Sequence, residues 1–199
     1  MPLPKDLVIE QGSTYAQVVR WEAAPTIYKP ITAITQTAPV QITAVGHGLP
    51  PGWRAAVIAV KGMSGINAPN VPPKDKDYHP VTVVGNDTIQ LNDVSAANLS
   101  AYVSGGYLQF NTPVDLTGYT ARMTIKDKVG GTMLLSLTTA NNRIVIDTSN
   151  HKITLTITAT DTALITWSKG VYDLELVSAT GVVTALMAGS VTVIDEVTT

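Results

Sequence analysis

Apolar and polar residues alternate with a period of two along much of the chain, which predicts strands with one buried face. The cleanest example is Ile153–Ile157, where three apolar residues alternate with threonines. The same alternation predicts strands at Tyr15–Trp21, Tyr119–Lys126, Ile144–Ile146, Tyr172–Leu176 and Val191–Asp195. Helix is predicted only for a turn or two at Asp161–Ile165, with Thr160 or Asp161 as the N-cap. The pattern therefore predicts an all-β protein.

The predicted strands fall into two groups that differ in their turns. Between residues 30 and 111, prolines and glycines separate short strands, as is typical of a small barrel. These strands are predicted at Ile31–Ile34, Val40–Val45, Arg54–Val60, Val81–Val84 and Thr88–Leu91. The outer segments, 1–29 plus 112–199, predict a discontinuous antiparallel sandwich of the immunoglobulin-like type. A small β-barrel inserted at 30–111 fits this plan, since insertions at surface turns cost little loop entropy.

Composition limits the classes of partner and compartment. The 199 residues include no cysteine, and only 14% are charged, against roughly 25% in ordinary globular domains. A surface so poor in charge favours covering by other subunits, although it is equally typical of a threonine-rich β protein with a neutral exterior. The 13 basic and 15 acidic residues form no basic block, so nucleic acid is not an expected ligand. We expect no membrane span and no secretory signal, because no apolar stretch is long enough.

Candidate chemistry is sparse. His47, His79 and His151 are far apart in predicted turns, so neither a metal site nor a cofactor is expected. The segment Lys74–Asp77 alternates in charge and predicts a solvated tip rather than a calcium site. Without a cysteine nucleophile or a recognisable catalytic constellation, we expect no catalytic residues and no enzyme activity.

Three residues are candidates for an interface. Asp173 and Glu175 lie two apart on one predicted strand face, with leucines on the other, which predicts the wet side of an edge strand or the rim of an interface. Paired carboxylates also occur in glycosidases, but aromatic residues for a sugar cleft make up only 6% of the chain. Trp53 follows the Pro50–Gly52 turn and is predicted to be partly exposed, as a contact anchor would be. Trp21 and Trp167 are predicted to be core residues.

The outer segments resemble a known protein family. The residues that carry the resemblance are Gly12-Ser13-Thr14-Tyr15, Trp21, Asp115-Leu116-Thr117-Gly118-Tyr119, Ile153-Thr154-Leu155-Thr156-Ile157, Gly170-Val171-Tyr172-Asp173-Leu174-Glu175 and Gly189-Ser190-Val191. In order and spacing these are similar to the amino-terminal attachment domain of phage baseplate upper proteins. In that family the domain docks a receptor-binding part onto the tail. Here the sequence stops at Thr199 without such a part, so the resemblance implies a connector.

The insert resembles a second family. The segments that carry this resemblance are His47–Gly52, Val60–Met63, Ile66-Asn67, Asp87–Leu91 and Tyr102–Gly106. In that order they are similar to the first catalytic cysteine half-domain of ubiquitin-activating enzymes. The resemblance implies a small β-barrel, which also occurs as an insert in phage structural proteins. It does not extend to the chemistry, because the chain lacks both a thioester cysteine and a nucleotide-binding glycine loop. Among these residues, Leu49, Met63, Ile89 and Leu91 are predicted to be core, and the glycines and Asn67 are predicted to form turns.

The expected function is that of a structural virion protein of a tailed phage, made in the host cytoplasm. It would act as a tail or baseplate connector, or as a tail-fibre attachment component. Its expected partners are other phage structural proteins and copies of itself in a symmetric assembly. Two alternatives remain open: a capsid decoration protein, and a receptor-binding module for a host surface glycan.

Overall fold

The computed structural model describes residues 2–196 and is all-β, as the alternation predicts. The strands in chain order are β1 (Leu3–Pro4), β2 (Leu7–Glu10), β3 (Tyr15–Val19), β4 (Glu22–Pro30), β5 (Ala33–Ile34), β6 (Val40–Thr43), β7 (Arg54–Lys61), β8 (His79–Gly85), β9 (Thr88–Leu91), β10 (Ser104–Pro113), β11 (Thr120–Lys126), β12 (Met133–Thr138), β13 (Ile144–Asp147), β14 (Lys152–Ile157), β15 (Lys169–Val177) and β16 (Val183–Ile194). One α-helix, α1 (Ala159–Ala163), and two 3₁₀ turns, Ser64–Ile66 and Asp75–Asp77, complete the described elements.

The chain divides into two compact units. The outer unit comprises Met1–Trp21 and Asp115–Thr199, and the central unit comprises Glu22–Val114. Residues 22–29, which the sequence groups with the outer segment, form most of β4 and pair with β10 inside the central unit.

The outer unit contains two sheets. The larger has the order β1-β16-β15-β11-β12, with β2 also pairing with β16, and the smaller has the order β13-β14-β3. β1 and β2 run parallel to β16, whereas the other neighbours are antiparallel. The first strands of the chain therefore pair with strands from its last third. An immunoglobulin-like arrangement of these sheets stays a prediction.

Period-two burial explains why these strands form. Along β14 every second residue, Ile153, Leu155 and Ile157, is buried, while the threonines between them are half-buried. β11 and β15 alternate in the same way and pair so that Met123 faces Leu174. Each buried aliphatic side chain contributes roughly 1.5–3 kcal/mol of transfer free energy.

A polar contact fixes the break between β1 and β2. The Asp6 carboxylate accepts hydrogen bonds from the Ser190 hydroxyl at 2.7 Å and from its backbone N–H at 3.0 Å. The bond from the Ser190 hydroxyl is the main cause that lowers the pKa of Asp6, and the bond from the Ser190 N–H lowers it further. The Tyr172 hydroxyl donates to the Lys5 carbonyl at 2.7 Å. Gly189 is required opposite this break, because a Cβ there would overlap the Lys5 carbonyl oxygen.

The central unit contains one seven-stranded sheet, with the order β4-β10-β7-β8-β9-β6-β5. A closed barrel is not formed by the described strands, since β4 and β5 are the two ends of this order. Ile31 and Thr32 join β4 to β5: the Ile31 N–H donates to the Gly106 carbonyl and the Thr32 N–H donates to the Thr43 carbonyl. The chain thus steps from one edge of the sheet to the other without a β4–β5 ladder.

The central unit buries one continuous hydrophobic core. Its members come from strands and from loops alike: Ile31, Val40, Ile42, Ala44, Leu49, Trp53, Ala55, Val57, Val60, Met63, Ile66, Val81, Ile89, Leu91, Ala96, Leu108 and Phe110. Leu49, Met63, Ile89 and Leu91 were predicted as core, and that prediction is confirmed.

The predicted helix is present but begins earlier than expected. α1 spans Ala159–Ala163, and its N-cap is Thr158, whose side chain accepts a hydrogen bond from the Asp161 N–H. The predicted caps, Thr160 and Asp161, are therefore wrong. Thr158 competes better because Asp161 then lies in the first turn, where its negative charge is stabilised and its carboxylate also meets Arg143 at 2.8 Å.

Candidate interaction site

A long connection in the central unit has more internal order than its length suggests. The loop between β7 and β8 runs over residues 62–78, and connections longer than about 12–15 residues are uncommon and usually functional. We call this segment the 62–78 loop. Three sets of contacts fix it, at its base, at its tip and on its flank.

Asn67 fixes the base of the loop. Its side-chain amide donates to the Val60 carbonyl at 3.0 Å and accepts from the Val60 N–H at 2.8 Å. The amide thus takes the place of a neighbouring strand for the end of β7. Two loop side chains, Met63 and Ile66, enter the core beside it, so the first turn of the loop belongs to the folded body of the unit.

Asp77 closes the tip of the loop. Its side chain is only 3% exposed and accepts hydrogen bonds from the Lys74 N–H at 2.8 Å and from the Asn70 amide at 2.9 and 3.1 Å. The Lys74 N–H is the main cause that lowers the pKa of Asp77, burial opposes it, and Asn70 lowers the pKa further. The carboxylate is therefore ionised at neutral pH, and its stabilising contribution is lost as the pH falls below the ordinary carboxyl range.

Arg54 attaches the flank of the loop to the sheet. Its guanidinium binds Glu22 through two nitrogens, at 2.6 and 2.9 Å, and also pairs with Asp75 of the loop. It lies over the Tyr78 ring, 5.3 Å from the ring centre. Glu22 is the main cause that raises the pKa of Arg54. A bidentate, partly buried pair of this kind is stronger and more directional than a single surface ion pair.

The same cluster continues along β10. The Asn111 side-chain amide donates to Glu22 at 3.0 Å, and the Gln109 amide donates to the Tyr78 hydroxyl at 2.8 Å. Gln109 is buried beneath Tyr78. The polar groups of the 62–78 loop that contact the sheet here are paired, which favours a single conformation of the loop.

The fixed loop presents an apolar and basic surface. Val71 is 94% exposed, and Pro72, Lys74 and Lys76 are exposed beside it. We call Val71–Lys76 the loop tip. The sequence predicted a solvated tip at Lys74–Asp77. Lys74, Asp75 and Lys76 are exposed, as predicted, whereas Asp77 is buried.

Trp53 is fully buried, so the exposure that the sequence predicted for it is wrong. Its backbone N–H donates to the Pro50 carbonyl at 3.2 Å, and this bond closes the turn that precedes the tryptophan. The indole then enters the core, and its Nε1–H donates to the Asn111 carbonyl at 3.2 Å. The bulk of the ring stabilises the central unit and has no surface with which to contact a partner.

Asp173 and Glu175 lie together on the outer face of β15, opposite buried leucines, as the alternation predicts. β15 is an inner strand rather than an edge. Glu175 pairs with Arg122 across the sheet, with the Nε and Nη2 atoms of the arginine 2.7 Å from Oε2. Asp173 is exposed and lines a cavity of about 350 Å³ with Thr124, Lys126 and Val129. Their use in an interface stays a prediction.

The histidines are dispersed. His47 is buried, with the Leu49 N–H donating to its Nδ1 at 2.9 Å and its Nε2 3.0 Å from the Gly85 carbonyl. His79 is near Asp93 at 3.0 Å, and His151 belongs to the other unit. Within residues 2–196, no group of three or more His, Asp and Glu side chains is placed to hold a metal ion.

The sequence reasoning missed the contacts that organise the loop. Asn67, Asn70 and Arg54 carry no motif, because each acts through a partner that is distant in sequence or through a backbone group. The only available signal was the concentration of Asn, Pro and Asp between residues 67 and 80, which is typical of ordered turns.

No protein-family model matches the chain, and no curated protein sequence matches it. None of the helices within residues 2–196 is long and apolar enough to cross a membrane.

Proposed function

We propose that the chain is a structural virion protein of a tailed phage that joins tail or baseplate parts. The observation that carries this proposal is the 62–78 loop, an internally hydrogen-bonded loop whose tip exposes a valine and two lysines. Interface residues held in place before binding lose little conformational entropy when they bind. Rigid loops that present apolar side chains are therefore suited to permanent contacts between subunits.

The resemblances in the sequence supply the phage context. The outer segments are similar to the attachment domain of baseplate upper proteins, and we propose that the outer unit has an immunoglobulin-like arrangement. Its two sheets and the pairing of β3 with β14 are compatible with such an arrangement. Partners would be other virion proteins and further copies of this chain, and the site of action would be the virion. No catalytic step is proposed.

Quantitative mass spectrometry of purified particles of the encoding phage tests the proposal. A tail or baseplate connector is expected at a small multiple of three or six copies per particle. Hundreds of copies would support the alternative, a capsid decoration protein. Absence of the chain from washed particles would contradict both.

A second candidate function, glycan binding, is favoured by one observation. Tyr28 and Tyr107 are both exposed on the outer face of the central sheet. Tyr28 pairs with Gln109, two residues from Tyr107 along β10, so the two rings are diagonal neighbours on that face. Paired exposed aromatic rings can contact the apolar face of a sugar. Binding to a glycan array that is lost in Tyr28→Ala and retained in Val103→Ala, another exposed residue of the unit, would support this candidate.

A further inference from the structure

The loop tip presents two lysines to solvent beside an exposed valine. Asp75 pairs with Arg54, although its own side chain is 87% exposed, and Asp77 is buried against Asn70 and the Lys74 N–H. Lys74 and Lys76 are exposed. The tip therefore offers two ammonium groups next to an exposed valine. Its natural complement is an acidic surface with an apolar floor.

The outer unit has a surface of that kind. A cavity of about 260 Å³ is lined by Val8, Glu10, Ser13, Thr14, Tyr15 and Ala16. We call it the edge groove, because it lies between β2 and β3, each of which pairs with a single strand among those described. The groove is therefore open at the side of both sheets.

Acidic and apolar residues from the end of β16 adjoin the edge groove. Ile194 pairs in register with Glu10, and Asp195 and Glu196 follow it. The Glu196 carboxylate lies beside Gly12, in the turn that leads into the groove. Val8 and Ile194 are each about half exposed. The groove and its margin thus combine three acidic groups with two accessible aliphatic side chains.

We propose that the loop tip of one copy occupies the edge groove of a second copy, so that copies of the chain associate head to tail. Lys74 and Lys76 would face Glu10, Asp195 and Glu196, while Val71 would contact Val8 and Ile194. Because the two surfaces differ, the contact is heterologous and generates a ring or an open filament rather than an isologous dimer. The proposal rests on the assembly role proposed above and names the contact that such a role requires.

Charge reversal on full-length protein tests the contact. Sedimentation of the natural chain at rising concentration is expected to show association that weakens between about 0.1 M and 1 M salt, as the screening length falls from roughly 10 Å to 3 Å. Lys74→Glu with Lys76→Glu, and separately Glu10→Lys with Glu196→Lys, should each weaken association at least about tenfold. A 1:1 mixture of the two variants should recover it, since each acidic tip then meets a basic groove. A natural chain that stays monomeric, or a mixture that fails to associate, would overturn the proposal.

A cross-linking measurement keeps the test decisive if a reversal variant fails to fold. The chain has no cysteine, so Val71→Cys mixed with Val8→Cys can form only disulfides that involve these positions. The matched control is Val71→Cys mixed with Val145→Cys, because Val8 and Val145 are both 53% exposed. We expect the mixed dimer to form at least about tenfold faster in the first mixture, since disulfides need Cα atoms within roughly 7 Å. Equal rates would overturn the proposal.

Failure of this contact and failure of the proposed function can be told apart. A chain that is found in particles at a ring-like copy number, but shows neither salt-sensitive association nor selective cross-linking, would retain its structural role and lose only the tip-to-groove contact. A chain that associates in this way but is absent from particles would lose the structural role instead.

Discussion

Two tyrosines of the outer unit differ in one hydrogen bond. The Tyr172 hydroxyl donates to the Lys5 carbonyl at 2.7 Å, whereas the Tyr15 hydroxyl is buried with no hydrogen-bond partner among residues 2–196. A buried hydroxyl without a partner costs free energy that a satisfied one does not. The pair therefore provides a matched test of the packing around β1 and β3.

Tyr15→Phe is expected to leave the free energy of unfolding unchanged or to raise it by up to about 1 kcal/mol, because it removes an unsatisfied group. Tyr172→Phe should lower it by about 0.5–1.5 kcal/mol, because it removes a bond to Lys5. Urea unfolding of the two variants measures both values. A loss above about 1.5 kcal/mol for Tyr15→Phe would mean that its hydroxyl has a stabilising partner.

Burial of the same rings predicts a loss of stability in alkali. Burial raises the pKa of Tyr15 from 10.0 to about 12, and it also raises the pKa of Tyr172. Above pH 10 the unfolded chain loses these protons while the folded chain keeps them, so the free energy of unfolding falls as the pH rises. Urea unfolding between pH 8 and 11 should show this fall. The double variant Tyr15→Phe/Tyr172→Phe should show a smaller fall in the free energy of unfolding. An identical fall would contradict the assignment of this pH dependence to the two tyrosines.

Asn67 gives a residue-scale test of the base of the loop. Asn67→Ala removes two hydrogen bonds to Val60 and should lower the free energy of unfolding by about 1–3 kcal/mol. The control is Asn98→Ala, an exposed asparagine with no hydrogen bond assigned within the described chain, which should change it by less than about 0.5 kcal/mol. Similar losses for both variants would show that the amide does not order the loop.

At the scale of elements, the 62–78 loop is expected to behave as an ordered segment. The double variant Asn70→Ala/Asp77→Ala releases the tip and should speed tryptic cleavage after Lys74 and Lys76 at least about tenfold, since local opening of about 1.4 kcal/mol corresponds to a factor of ten. The control is Asp93→Ala, which removes the contact between Asp93 and His79 outside the loop. Rapid cleavage of the natural chain at these lysines would contradict a preformed tip.

The sequence predicted elements where burial follows a simple period. β11, β14 and β15 were found because each buries alternate aliphatic residues on one face. β4 was missed because it contains Pro25 and ends at Pro30, which are tolerated there since β4 is an edge strand. β10 was missed because Gly105 and Gly106 at its start read as a turn, and both do have positive φ.

The candidate site was less predictable than the fold, for a physical reason. Trp53 was misplaced because the sequence could not show that the Pro50–Gly52 turn directs its ring inward. The importance of Arg54 depends on Glu22 and Asp75, which only the fold brings together. Charge pairs distant in sequence leave no periodic signal, whereas core strands do.

At the scale of the whole molecule, the hydrophobic core of the central unit is built from that unit's own residues. All seventeen core residues of the central unit lie within Glu22–Val114. We therefore expect a fragment of residues 22–114 to fold alone and unfold cooperatively in urea, with the blue-shifted emission of a buried Trp53, the single tryptophan it contains. An unfolded fragment with water-exposed tryptophan emission would contradict an independent central unit.

We proposed above that this chain is built into the particle of a tailed phage. A cryo-EM map of whole particles of the encoding phage tests it most directly, because it locates the chain whichever proteins it contacts. We expect density for both units within the tail or baseplate, in symmetric copies, with Val71 at a contact between subunits. Density on the capsid surface would assign it to decoration, and a complete particle map with no density for the chain would contradict the claim.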